Sequence, residues 1–221
     1  MPKPSAKLER ALLYFVCEGG EDEAGLDRLL EAALAGGAGL IQLRDKDADD
    51  ERILAAAPVF RAAADRHGAL FILNDRPDLV ASCRADGVHV GQGDSPVAEA
   101  RELAGPDAIV GLSTHAPEQL RAAESATGVD RPDYVSVGPV WATPTKPGRP
   151  AAGLDYVRHA AAEAELPWFA IGGIEPGNLA VVVAAGARRV VVVRAIRDAD
   201  EPEAVAASLR SGLGVIEAVT E

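Results

Sequence analysis

Gly39-Leu-Ile-Gln42-Leu-Arg44-Asp-Lys46 is the stretch from which the fold can be read, because an apolar run passes directly into three long polar side chains set at every second position. In an extended strand alternate residues share a face, so Gln42, Arg44 and Lys46 point together at something that needs positive charge and hydrogen-bond donors. An extended phosphate or diphosphate group meets that description. Taken alone, the stretch also reads as a strand end turning out into water. Recurrence weighs against that reading, because the same event, an apolar run followed by a polar cluster, returns at nearly every strand.

The strands are expected at 12–17, 39–44, 70–74, 87–90, 109–113, 134–138, 168–172 and 189–194. Alanine-rich, charged stretches of helical length separate them. The first, 26–35, sets Leu26, Leu29, Leu30, Ala33 and Leu34 at helical spacing and leaves Asp27, Arg28 and Glu31 for solvent. The last runs over 203–218, with Gly212 and Gly214 in its interior. Eight β-then-α units in one domain predict an α/β fold, a single-domain (β/α)8 TIM barrel with eight parallel strands. An open doubly wound sheet is the alternative. It ordinarily has fewer strands, and no G-x-G-x-x-G follows the first one.

The 221-residue length suits one such domain over 1–221, with residues 1–10, polar and lysine-bearing, as a flexible N-terminus. With 22 basic and 34 acidic residues the net charge is −12, which argues against nucleic acid and anionic membranes as partners. A basic cluster in so acidic a chain is local and purposeful. No apolar run approaches the roughly 20 residues of a membrane span, and the two cysteines, Cys17 and Cys83, match no metal spacing or disulfide framework. A cytoplasmic, reducing location is expected, and a homo-oligomer remains open. The longest stretch without a clear element, 139–152, holds four prolines and one glycine. After the sixth strand of a barrel it reads as an active-site loop, or else as a surface insertion.

Barrel chemistry sits where strands end, and here the ends are polar. They supply Gln42, Arg44 and Lys46; Asn74, Asp75 and Arg76; His89, Gln92 and Asp94; Ser113, Thr114 and His115; Thr143, Thr145 and Lys146; Gly172 and Gly173; and Arg194. Asp75 and Asp94 come from neighbouring strands and suit a hard cation such as Mg²⁺, which completes its shell with water and substrate phosphate. Either aspartate could instead cap the helix that follows it. Thr143, Thr145 and Lys146 can grip phosphate, and Ile171-Gly-Gly-Ile174 lets backbone N–H groups approach an anion. The two separate clusters imply two phosphorylated substrates. Of the four histidines, His67 and His159 read as solvated or capping, while His89 and His115 stand at strand ends without a zinc spacing. Ser113 lacks a nucleophile elbow and reads as a hydrogen-bond donor to a ring or phosphate. Cys17 reads as buried and inert, and Trp141 as an aromatic cover or a loop anchor.

In order and spacing, IQLRDK, NDR, DGVHVGQGD, GLSTH, DYVSVGPVWATPTKPG, AIGGI and VVVRAI resemble the thiamine-phosphate synthase family over 14–196. That family is a (β/α)8 barrel joining hydroxymethylpyrimidine diphosphate to a thiazole phosphate with release of diphosphate. The resemblance implies that Gln42, Arg44, Lys46 and Asn74 hold the pyrimidine diphosphate and that Asp75 and Asp94 hold Mg²⁺. It places Ser113 at the pyrimidine side, Lys146 at the diphosphate, and Thr143, Thr145, Gly173 and the backbone at Val193-Arg194 on the thiazole phosphate. Catalysis would then fall to Lys146, Ser113, Arg44 and Lys46. Two departures stand out: Arg194 replaces a common serine, and Trp141-Ala142 replaces an aromatic followed by proline. A thiazole tautomerase is the nearest alternative, but its proton-transfer histidine would fall at Pro139. A non-catalytic phosphate-binding barrel and a phosphosugar isomerase are the other readings, the second wanting a base poised over a carbon acid.

Overall fold

The computed structural model describes residues 4–142 and 150–214. Eight parallel strands close into a barrel in sequence order: β1 Leu13–Cys17, β2 Leu40–Leu43, β3 Leu70–Asn74, β4 Gly87–Val90, β5 Ile109–Thr114, β6 Tyr134–Val137, β7 Trp168–Ile171 and β8 Val190–Val192. Helices among the described residues are α1 Pro4–Arg10, α2 Glu23–Ala35, α3 Asp50–His67, α4 Val80–Cys83, α5 Val97–Ala104, α6 Pro117–Ser125, α7 Gly153–Glu163, α8 Leu179–Ala184, α9 Arg194–Arg197 and α10 Pro202–Gly214. None of the described helices is long and apolar enough to cross a membrane.

Strand parity sorts the core into two layers. Leu13, Phe15 and Cys17 of β1 face the helices, as do Ile41, Leu43, Phe71, Leu73, Val88, Val90 and Val110. Tyr14, Val16, Leu40, Leu70, Ile72, Ile109, Tyr134, Phe169 and Val191 fill the barrel instead. Because a parallel strand is covered on both sides, both of its faces are apolar, and β1 reads as an unbroken hydrophobic run. Closing the barrel is what tells inward from outward.

Three expectations change. The flexible terminus expected over 1–10 is, over its described part, the helix α1, whose Leu8 is buried among the barrel-filling residues. That placement is tertiary, since seven residues do not hold a helix in water by propensity. Strands β2 and β8 are shorter than expected, so Arg44 and Arg194 lie just past their ends. Helix α9 is additional to the eight crossover units, while α10 is described to Gly214 and its expected continuation to 218 lies outside the described residues.

At the opposite end from the site, two aspartate–arginine clamps tie helices to strands. Asp86 Oδ2 accepts from the Phe71 N–H at 2.8 Å and from Arg61 Nη1 at 2.9 Å, and Asp133 Oδ2 accepts from the Val110 N–H at 2.7 Å and from Arg101 Nη2 at 3.1 Å. Each carboxylate thus satisfies a backbone donor in the strand before its own and pairs with a cation on a neighbouring helix. Both cysteines are buried and free.

Gly111 in β5 makes room for an aromatic ring. A Cβ there would lie 2.1 Å from Tyr134 Cζ and 2.5 Å from its hydroxyl. Glycine inside a strand marks such close approaches. Gly111→Ala is expected to lower the unfolding free energy by about 1–3 kcal/mol, the usual penalty for overpacking; denaturant titration followed by circular dichroism measures it.

Candidate active site

At the ends of the strands a cavity of about 250 Å³ opens, with walls contributed by all eight strands or the loops that follow them. Gln42, Arg44, Lys46, Asn74, Asp75, Asp94, Ser113, Gly173, Val193 and Arg194, each nominated from sequence, all line it. Thr143, Thr145 and Lys146 lie outside the described residues.

The β2 side carries the cations. β2 ends at Leu43, so the shared strand face extends only from Gln42 to Arg44, whose N–H still bonds to the Cys17 carbonyl at 2.9 Å. Lys46 reaches the cavity from the loop beyond, where its ammonium sits 3.2 Å from Asp75 Oδ2. Gln42 is not exposed beside these cations but buried lower in the barrel, where its Nε2 donates to the Tyr14 hydroxyl. Arg44 is half-buried and makes no ion pair with any described residue, so its charge is open to a ligand.

Asp75 is held in an unusual backbone conformation with φ at 58°, in the left-handed region where aspartate and asparagine are the tolerated non-glycine residues. Its N–H bonds to the His89 carbonyl at 2.9 Å, continuing the β3–β4 pairing. The helical turn that follows is not capped by the Asp75 side chain, which leaves the carboxylate for the cavity. Burial raises the Asp75 carboxyl above the usual carboxylate range, and the nearby Asp94 charge raises it further, against the pull of Lys46. Asp94 Oδ2 in turn accepts from the Gly91 N–H at 2.8 Å, a turn within its own loop. Two carboxylates brought this close disfavour shared ionisation and are relieved by a cation between them.

Across the cavity the surface is backbone. Gly172 and Gly173 take φ values of 110° and 69°, and a Cβ at Gly172 would lie 2.5 Å from that of Pro139. Only glycine fits both the conformation and the space. Asn178 fixes this turn by donating from Nδ2 to the Gly173 carbonyl at 2.8 Å and accepting the Glu175 N–H at 3.0 Å. The start of α9 faces it, with Val193, Arg194 and Ala195 in the wall. The 139–152 loop is closed at its base by a bond from the Ala152 N–H to the Pro139 carbonyl at 2.7 Å, and Trp141 packs against the layer beneath the helices.

The floor is a buried polar network. His89 Nε2 lies 2.9 Å from Ser113 Oγ and its Nδ1 lies 3.1 Å from the Tyr134 hydroxyl, which is 3.1 Å from that of Tyr14. His89 therefore works within the barrel floor, and no group of three histidine, cysteine, aspartate or glutamate side chains among the described residues could hold a metal. His115 Nδ1 is 2.6 Å from the Gly138 carbonyl. Tyr14, Tyr134 and Ser136 belong to this floor and were not nominated from sequence. For Tyr134 and Ser136 the signal is parity, since they alternate inward on β6 just as Gly111 and Ser113 do on β5.

Residues 13–196 match the thiamine monophosphate synthase family. The chain belongs to that family. A thiamine-phosphate synthase from Thermus thermophilus is 58% identical over 194 residues, covering 86% of this chain and 90% of its own. One from Thermobifida fusca is 53% identical over 208 residues, covering 94% of each. A solved thiamine phosphate pyrophosphorylase from Pyrococcus furiosus superposes with a TM-score of 0.80 at 29% identity, covering 95% of this chain and 96% of its own. A 3-hexulose-6-phosphate synthase superposes with a TM-score of 0.66 at 20% identity, covering 91% of this chain and 99% of its own, and shares the fold alone. In this member of the thiamine monophosphate synthase family, the paired carboxylates and the cations occupy one wall and the glycine turn the other.

The Asp75 shift has a consequence for stability. A carboxyl raised in the folded state adds a penalty that is absent while the group is protonated in both states and fully present once pH has passed the raised value. Asp75→Asn, which keeps the left-handed conformation accessible, is therefore expected to raise stability at neutral pH in chelator and to have no such effect below the ordinary aspartate range. Denaturant midpoints at the two pH values measure it.

Proposed function

We propose that this chain condenses 4-amino-2-methyl-5-(diphosphooxymethyl)pyrimidine with a thiazole phosphate, giving thiamine phosphate and diphosphate. The carrying observation is the convergence of Arg44, Lys46, Asp75 and Asp94 on one wall of a cavity whose opposite wall is the Gly172-Gly173 turn and the start of α9. Membership of the thiamine monophosphate synthase family supports the same reading.

In the reaction the bond between the pyrimidine methylene carbon and the diphosphate oxygen breaks, its electron pair leaving with the diphosphate. The electron-rich aminopyrimidine spreads the resulting positive charge, and the thiazole nitrogen supplies the pair for the new carbon–nitrogen bond. No protein nucleophile is required. The chain's task is to neutralise the leaving group, exclude water and aim the nitrogen. Arg44 and Lys46 meet the diphosphate, with Lys146 beside them by resemblance. Gln42, Asn74 and Ser113 hold the pyrimidine from the cavity floor and side. Thr143, Thr145, Gly173 and the Val193-Arg194 backbone hold the thiazole phosphate, and Arg194 can add a charge there that a serine would lack.

Asp75 and Asp94 fit Mg²⁺, because this ion takes one or two carboxylates and completes its shell with water and substrate phosphate. Bound there, it would supply positive charge to the departing diphosphate. The tautomerase reading is weaker because Pro139, which lines the cavity, stands where that enzyme's histidine would be. The substrates are small molecules, and the reducing cytosol suits two buried, free cysteines.

Incubating the protein with both substrates and Mg²⁺ is expected to yield thiamine phosphate and diphosphate in equal amounts; absence of both products removes the proposal. Lys46→Ala and Asp94→Ala are each expected to lower turnover by about 10²-fold or more. Both side chains are exposed, so the unfolding midpoint should barely move.

A further inference from the structure

The turn after β7 departs from strand geometry at one peptide. Along a regular strand, successive carbonyls point to opposite neighbours. Here the Ile171 and Gly172 carbonyls both face the continuation of β6, accepting the Val140 N–H at 2.8 Å and the Trp141 N–H at 3.2 Å. The Gly172 φ of 110° is what brings the second carbonyl to that side. The Gly172–Gly173 peptide is trans, so its N–H points opposite to its carbonyl. Because β7 lies between β6 and β8, the Gly173 N–H is directed to the β8 side, from which Val193, Arg194 and Ala195 line the cavity.

The next peptide is held from another direction. Asn178 Nδ2 donates to the Gly173 carbonyl at 2.8 Å, so the Ile174 N–H of the same trans peptide points away from Asn178. Ile174 lines the cavity, whereas Asn178 is not among the described residues that do. Neither the Gly173 nor the Ile174 N–H bonds to a described residue. Successive N–H groups of a turn left in this way make a concavity for an anion. The sense of the Asn178 amide is fixed at both ends by backbone. The Gly173 carbonyl can only accept, and the Glu175 N–H, which can only donate, bonds to Oδ1 at 3.0 Å. Turning the amide over would lose both bonds.

We propose that Asn178 is a positioning residue for the second phosphate: by holding the Gly173 carbonyl outside the cavity, it keeps the Gly173 and Ile174 N–H groups presented to the phosphate of the thiazole substrate. The identity of that ligand rests on the functional reading above. Glycine backbone rotates freely, so the turn needs a hold from outside itself. Trp141 supplies one through its own backbone, which a side-chain substitution leaves in place. Asn178 supplies the other and acts on the substrate only through the turn.

Gly173-Ile174 is the one Gly-Ile pair in the chain, so protein labelled with carbon-13 at glycine carbonyls and nitrogen-15 in isoleucine shows the Ile174 amide as a single filtered signal. Thiazole phosphate is expected to move that signal, and the same thiazole without its phosphate to leave it in place. Asn178→Asp keeps an acceptor for the Glu175 N–H but sets a carboxylate against the Gly173 carbonyl. Asn178→Ala removes both bonds and adds no charge. Each is expected to raise KM for the thiazole phosphate about tenfold, with kcat changed less than about twofold and inorganic diphosphate bound as in wild type. Asn178→Ser, equally neutral and one bond shorter, stands in if Asn178→Ala does not fold. If Asn178 merely closed the turn at Glu175, Asn178→Asp would match wild type in KM, and that result overturns the proposal. An unchanged KM in the neutral variant overturns it too, as does an Ile174 signal to which the phosphate makes no difference while wild type forms thiamine phosphate. A phosphate-dependent shift without any thiamine phosphate formed would instead strike the functional reading and leave the role of Asn178 standing.

Discussion

Everything in this structure depends on the strict two-residue alternation of side chains along eight strands that have no edge. In a closed parallel barrel each strand sends one set of residues under the helices and the other into the interior, and a shift by one residue would exchange them. The parallel register sets Gln42 beside Ile72, Asn74 beside His89, and Ser113 beside Ser136. Polar residues that are separated by tens of positions in the chain therefore share one enclosed space. The same alternation keeps the lower interior apolar, with Leu40, Leu70 and Ile109 beneath the polar floor.

Above that floor the site is built from opposing electrostatic costs. Asp75 is half-buried, strained in its backbone and close to a second carboxylate, with Lys46 the nearest compensation. None of this favours the folded chain alone. It becomes favourable when a cation and a polyanion arrive together, because each neutralises what the other leaves exposed. Arg44, which has no ion-pair partner among the described residues, fits the same logic. The opposite wall relies on glycine backbone at Gly172 and Gly173, with Arg194 beside it, which lets a second anion approach without competing for the cations of the β2 side.

Much of this was legible from the chain. Short apolar runs ending in polar clusters locate the strands to within a residue or two, because a buried parallel strand must be apolar and its C-terminal end must meet solvent or ligand. The described residues that the resemblance assigns to the site lie in one cavity for the same reason, whereas Arg76, Gln92 and Thr114, also polar at strand ends, turn to Asp50 and Asp78, the Ser113 carbonyl and the Ser136 carbonyl instead. Other features were not legible. Tyr14 sits in Leu-Tyr-Phe-Val-Cys, where both faces are apolar, so nothing local says which one is inside. Gln42 looked like part of a cationic face and instead descends to Tyr14, because the strand ends one residue after it. Helix α1 is held by Leu8 under the barrel, a contact that no local propensity encodes.

The central claim is that the carboxylate pair and the cations form a joint site for a metal-bound diphosphate. Calorimetric titration of the protein with inorganic diphosphate, with and without Mg²⁺, tests it without requiring turnover. Binding should be at least about tenfold tighter with Mg²⁺, a difference of about 1.4 kcal/mol, and Asp94→Asn should abolish that difference. Equal affinity with and without Mg²⁺, or a Mg²⁺ effect that survives Asp94→Asn, would contradict the account.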